Sequence, residues 1–235
     1  MLVALLSVMK LLTVGDAKTT KGEELGILTG ILYLNPAVKT STLCPYASEE
    51  CKALCLVSSG RAEIYPMVMQ ARSRKSTEFL SNRSAFIDQL RLDIKVIARR
   101  AKRKGMVPAI RLNGTSDILW ERLSGLLEEF PEIQFYDYTK VPLKYRRMPA
   151  NYHLTFSFSG HNWEDCIDAI AQGVNVAIVF SGAIPSTYKG LEVVDGTTHD
   201  VRFLDSIRGG VVGLCAKGSK ARKAEKQGSA FIVKA

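Results

Sequence analysis

Three cysteines within one short stretch carry the clearest chemistry in this chain. Cys44, Cys51 and Cys55 lie in LCPYASEECKALCLVSSGR, residues 43–61, with the spacing C-x6-C-x3-C. A disulfide joins only two thiols, whereas a metal ion or an iron–sulfur cluster uses all three, because thiolates are the ligands such centres take. Pro45 and the acidic pair Glu49-Glu50 predict a loop leading into a short helix, on which Cys51 and Cys55 fall at i and i+4 on one face. Cys44 then approaches from the loop. Structural zinc sites use C-x2–4-C knuckles and four ligands, and the first gap here is too long, with no second CxxC or HxxxH following. A lone cysteine fills a core as a small hydrophobe, but three in a polar loop point to a cluster. The expectation is [4Fe-4S], with a [3Fe-4S] form on oxidation.

The elements around the loop decide where it sits. Residues Ile27–Leu34, ILTGILYL, read as a buried strand ending at Asn35-Pro36, which puts the cysteines at its C-terminal end. Ala62–Leu80 reads as helical, with Pro66 as a kink or restart. The clearest helix is Ser84–Lys104, where Phe86, Leu90, Ile94, Ile97 and Ala101 form one stripe between a Ser84 cap and Gly105. Further strands are expected at Pro108–Leu112, Gln134–Thr139, His153–Ser159, Asn175–Phe180, Val201–Leu204 and Gly210–Cys215. Helices are expected from Ser116 through Phe130 and from Asn162 to Gln172. Strands alternating with helices imply βαβ units and a parallel sheet. The expected fold is an α/β chain forming a TIM-like parallel β/α barrel, incomplete or distorted, as a single domain over residues 1–235.

In barrels of that class, sites form where strands end. The predicted strand ends carry Arg111, Asn113 and Asp117, then Asp137 and Lys140, and later His199, Asp200 and Arg202. These are the candidate site-lining residues. Arg111 either lines the site or pairs with Asp137 inside the barrel, and Asp117 doubles as a helix N-terminal acid. His199 is the best placed of the three histidines. Cys215 ends the last predicted strand, beside the first if the barrel closes, so either it or His199 is the candidate fourth ligand to the cluster. Cys166 shares a helix face with Trp163, Ile167 and Ile170 and reads as core.

Composition limits the alternatives. The chain has 235 residues, 46% of them hydrophobic, and a formal charge of +9. Two runs concentrate that charge, Arg99–Lys104 and the C-terminal segment Lys217–Lys226, in which Glu225 is the one acid. Such runs suit phosphate contacts, so nucleic acid is the candidate partner, although aromatic interleaving is absent from both. No GxGxxG follows the first strand, and neither an HExxH motif nor a Ser–His–Asp order is present. The opening MLVALLSVMKLL is broken by Lys10 and too short to span a bilayer. No membrane association is expected, and five cysteines without a secretory signal predict a reducing compartment.

Long stretches of the chain resemble a known family. KGEELGILTGILYLNPA, CPYASEECKALCL, AIRLNGTSDILWE, FYDYTKVP, NYHLTFSFS, HDVRFLD and VGLCAKGSKARK together resemble the tailed-phage gene-product-eighty-eight family, over nearly the whole sequence. The resemblance implies a phage protein in the cytoplasm of an infected bacterium and a cysteine-rich loop shared by relatives. It implies no particular reaction. It also implies a residue that is often basic at the Cys215 position, which leaves a cluster with an open or non-cysteine site. A strand followed by three cysteines is similar to radical-SAM enzymes as well, and would imply S-adenosylmethionine (SAM) as cofactor. Their loop is C-x3-C-x2-C, however, and no glycine-rich methionine-binding strand follows here. Two functions are therefore expected as alternatives: a cluster-dependent redox or enzymatic role, and a nucleic-acid-binding accessory role with a structural metal or cluster.

Overall fold

The computed structural model describes residues 9–38, 41–55, 64–123, 125–216 and 218–234. Its centre is a sheet whose strands follow almost in chain order. These are β1 (Leu12–Thr13), β2 (Ile27–Leu32), β5 (Val107–Arg111), β6 (Gln134–Thr139), β7 (Tyr152–Ser157), β8 (Val176–Ser181), β11 (Val211–Cys215), β10 (Leu191–Asp195) and β9 (Thr187–Tyr188). From β2 to β10 every neighbouring pair is parallel, while β1 and β9 join antiparallel at the two edges. A short hairpin, β3 (Ala37–Val38) with β4 (Ser41–Thr42), stands apart. β12 (Ile232–Lys234) inserts beside β8 at Val179–Ser181, above the point where β7 pairs with it.

The parallel, sequentially ordered sheet is what the strand–helix alternation predicts, but the TIM barrel is not formed. The sheet is open, with β1 and β9 as its ends. Closure would need the last parallel strand to reach β2, and an antiparallel strand caps each edge instead. The segment after β10 then folds back over one face, where Val201 and Phe203 pack on Ile27, Ala109 and Tyr136. The expected strand Val201–Leu204 is accordingly a 3-10 turn, Arg202–Leu204, whose Arg202 is fully buried.

The longer helices cover the other face. α1 (Ala17–Glu23) leads into β2 and lies on the first face, where Gly22 sits against Val201 and Thr29; α2 (Glu49–Ala53) carries the middle cysteine, and α3 (Pro66–Ser81) starts at its proline, which suits a first helical position. α4 (Arg83–Lys104) buries the predicted stripe of Phe86, Leu90, Ile94, Ile97 and Ala101, each of the four larger side chains contributing about 1.5–3 kcal/mol. It begins after Asn82 rather than at a Ser84 cap. The helix expected from Ser116 through Phe130 is two single turns, α5 (Trp120–Leu123) and α6 (Leu126–Glu129), separated at Gly125, whose φ of 59° no helix accepts. α7 (Trp163–Ala171) follows Asn162 as predicted, with Cys166 in the core. α8 (Gly218–Lys226) leads into β12.

Candidate functional site

The cysteine loop lies over the C-terminal ends of the central strands, fixed there by partners distant in sequence. Leu43 accepts a hydrogen bond from the Asp117 amide (2.8 Å), and Ser48 Oγ donates to the Ser159 carbonyl (2.9 Å) while accepting from the Cys51 amide as the α2 cap. Glu50 meets the exposed His161 at 2.9 Å. All five cysteines are free thiols.

The cluster expectation does not survive this geometry. Among the described residues, no group of three or more His, Cys, Asp or Glu side chains is arranged to hold a metal ion. Cys44 Sγ stands 4.0 Å from the Thr115 carbonyl, and burial, then Asp117, pushes its thiol up to about 12. The loop is shaped by the Asp117 and Ser159 contacts rather than by convergence of Cys44, Cys51 and Cys55. The [4Fe-4S] and [3Fe-4S] assignments fall, and SAM falls with the cluster that motivated it. The fourth-ligand candidates are also placed elsewhere. Four strands separate β11 from β2, so Cys215 lies away from the loop, its Sγ 4.0 Å from the Gly182 carbonyl. His199 contacts Arg202 and Asp205.

The predicted polar residues do collect near the strand ends, but on opposite faces of the sheet. β5 and β6 alternate their side chains, so Arg111 and Tyr138 share the face covered by the 200–205 segment, while Asp137 points to the helix side. Arg111 therefore pairs with Asp200 (2.5 Å), not Asp137, and its guanidinium lies 4.7 Å from the Tyr138 ring centre. Burial alone would lower its pKa, and Asp200 together with Tyr138, Tyr136 and Asp137 more than offsets that. Alongside, Tyr33 donates to Asp16 (2.7 Å) and Arg72 stacks on the Tyr33 ring at 4.9 Å. Deeper on this face, burial raises the Asp205 carboxyl to about 6 and lowers His153 to about 4.

On the helix side Asn113 and Asp137 organise the loops. Asn113 Oδ1 accepts from Ser116 Oγ, the Ile118 amide and Trp120 Nε1, at 2.9, 2.9 and 3.2 Å. Asp137 accepts from the Asn113 amide (2.7 Å) and the Tyr152 hydroxyl (2.9 Å), and burial raises it to about 7. Asp117 is no helix-start acid. It accepts from the Lys140 amide (2.7 Å) and approaches Arg146 at 3.4 Å. Sequence reading missed Arg146, because nothing local marks it. It lies in a basic pair, yet its side chain is wholly buried against Glu121 while Arg147 is exposed.

The family model for Gene product 88 matches residues 9–234. The chain belongs to the Gene product 88 family. This supports the bacteriophage resemblance, and nothing supports a radical-SAM relationship. No curated protein and no solved structure matches the chain. No described helix is long and apolar enough to cross a membrane.

The two basic runs lie at opposite ends of the sheet. α4 delivers Lys102–Lys104 to the N-terminal end of β5, where Lys104 pairs with Glu23 at 2.9 Å. α8 follows the C-terminal end of β11, on the same side as the cysteine loop. One continuous surface built from both runs is therefore not available.

Proposed function

We propose that this Gene product 88 protein binds nucleic acid, with α8 as its phosphate-contacting element. The observation that carries this reading is the orientation of the one acid in the basic segment. Glu225 faces inward and accepts a hydrogen bond from Ser181 at the end of β8, and Ala221, one turn earlier, is buried. Lys223 and Lys226 are exposed. The acid is thus withdrawn from the surface that the lysines occupy, leaving a face of one sign on a chain of charge +9. Cations on such a face displace counterions from phosphates, and affinity then falls steeply with salt.

The test is fluorescence anisotropy with labelled DNA and RNA across roughly 50 to 200 mM salt. Replacing both Lys223 and Lys226 by Glu is expected to weaken binding and to reduce the log–log salt slope by about 1.4–1.8, the share of two phosphate contacts. An unchanged slope, or absence of wild-type binding at the lowest salt, overturns the proposal.

A further inference from the structure

Two exposed tyrosines meet on the rim that carries the cysteine loop. Tyr46 comes from that loop and Tyr145 from the 3-10 turn Leu143–Tyr145 that follows β6. Each is 44% exposed, and their ring centres are 6.4 Å apart with planes inclined at 34°. Lys144 Nζ lies 5.3 Å from the Tyr145 ring centre. Singly exposed aromatics are ordinary, but a pair assembled from two separate loops, with a lysine over one ring, is a patch of aromatic and cationic surface.

Both supports are stiff. A turn holds Tyr46, with the Ala47 amide on the Cys44 carbonyl at 3.2 Å, and the flanking residues Leu43 and Ser48 are pinned to Asp117 and Ser159. The Tyr145 amide bonds the Pro142 carbonyl at 2.9 Å, and the next residue, Arg146, is buried. Flat rings on rigid loops lose little entropy when they stack.

Resting on the nucleic-acid reading above, we propose that Tyr46 and Tyr145 form a stacking platform for unpaired bases, so that the ligand is single-stranded nucleic acid. The 6.4 Å centroid separation lies close to two stacking steps of about 3.4 Å, so a modest flattening of the ring angle admits one base between the rings. Lys144 is placed for the adjoining phosphate. Stacking of this kind tolerates any base, because every base has a π-face. A paired duplex offers no free base face and gains nothing from the rings.

The experiment compares a fluorescein-labelled oligothymidylate of about 20 nucleotides with a duplex of the same length, at fixed low salt. Wild-type protein is expected to prefer the single strand. Tyr46→Ala and Tyr145→Ala are each expected to lose about tenfold in single-strand affinity, with duplex binding and the salt slope unchanged, since a ring releases no counterions. Tyr46→Phe and Tyr145→Phe, which keep the π-face, retain wild-type affinity. Circular dichroism checks that each variant is folded. Wild-type binding that depends on Lys223 and Lys226 but is equal for both probes, or unaffected by the alanine variants, overturns the platform and leaves the α8 reading standing. Absence of any binding overturns both.

Discussion

Replacing Arg146 by Met tests the buried charge network that holds the strand-end loops. The Arg146 and Glu121 side chains are both 0% exposed, and Asp117 is 9% exposed. Arg146 Nη2 donates to Glu121 Oε2 at 3.1 Å and to the Tyr152 hydroxyl at 2.9 Å, and Nη1 donates to Thr139 at 3.3 Å. Its Nε sits 2.8 Å from Glu121 Oε1, close enough for charge attraction though off the hydrogen-bonding line. Met fills most of the volume but leaves Glu121 with no cation. An uncompensated buried charge of this kind costs about 3–5 kcal/mol, a large part of the roughly 5–15 kcal/mol that holds a typical domain together. At about 2–4 °C per kcal/mol for a chain of this size, the melting temperature falls on the order of 10 °C.

The measurement is urea unfolding followed by circular dichroism, on Arg146→Met and on the double variant Arg146→Met/Glu121→Gln. If the cost is the orphaned carboxylate, neutralising it recovers a substantial part of the loss, and the two substitutions are strongly non-additive. A loss below about 1 kcal/mol in the single variant refutes the buried-charge account. So does a double variant that unfolds as readily as the sum of its parts.

The other three predictions also concern stability. His153 has a depressed folded pKa of about 4, so as pH falls below about 6.5 the unfolded chain takes the proton first, and stability is lost on the way to pH 4. His153→Gln should flatten that acid limb in melting temperature measured against pH, and an unaltered limb rules the assignment out. Asp205 works in the opposite sense. With its folded pKa raised to about 6, its contribution is present at low pH and lost as pH rises through 6, so Asp205→Asn should steepen the acid limb. Gly114→Ala should destabilise by about 1–3 kcal/mol in urea titration. An added Cβ would lie 2.7 Å from the Leu32 carbonyl and from the Ile31 and Tyr33 side chains, and wild-type stability in that variant would show that the loop gives way.

Period and stripe made the main elements legible. β2 is buried along its whole length and reads as a mostly apolar run rich in strand formers, and the α4 stripe is the one its spacing predicts. Closure was not legible, because it depends on edges. β1 is two residues long and β9 is equally short, too little for a pattern, yet these strands end the sheet. The Ser116–Phe130 stretch failed for a different reason. The Ser116 hydroxyl and the Ile118 amide bond to the Asn113 side chain, and that local competition with helix hydrogen bonds leaves room only for α5 and α6.

The candidate site shows why residue type and spacing alone misled. C-x6-C-x3-C says that three thiols are near one another along the chain, but ligation needs them to converge and to ionise. Convergence is set by the partners of the loop, Asp117 and Ser159, which are far away in sequence. In the metal-free loop, burial holds Cys44 as the thiol. The same distance hid Tyr46 and Tyr145. Neither lies in a basic run, so a search for aromatics among lysines along the chain passes them by. They become neighbours only because the cysteine loop and the turn after β6 are drawn to one rim, where the Asp117 amide holds the first at Leu43 and the Asp117 carboxylate holds the second at the Lys140 amide. Asp117 is the joint between the two loops. Its substitution should disturb the tyrosine pair without touching either ring.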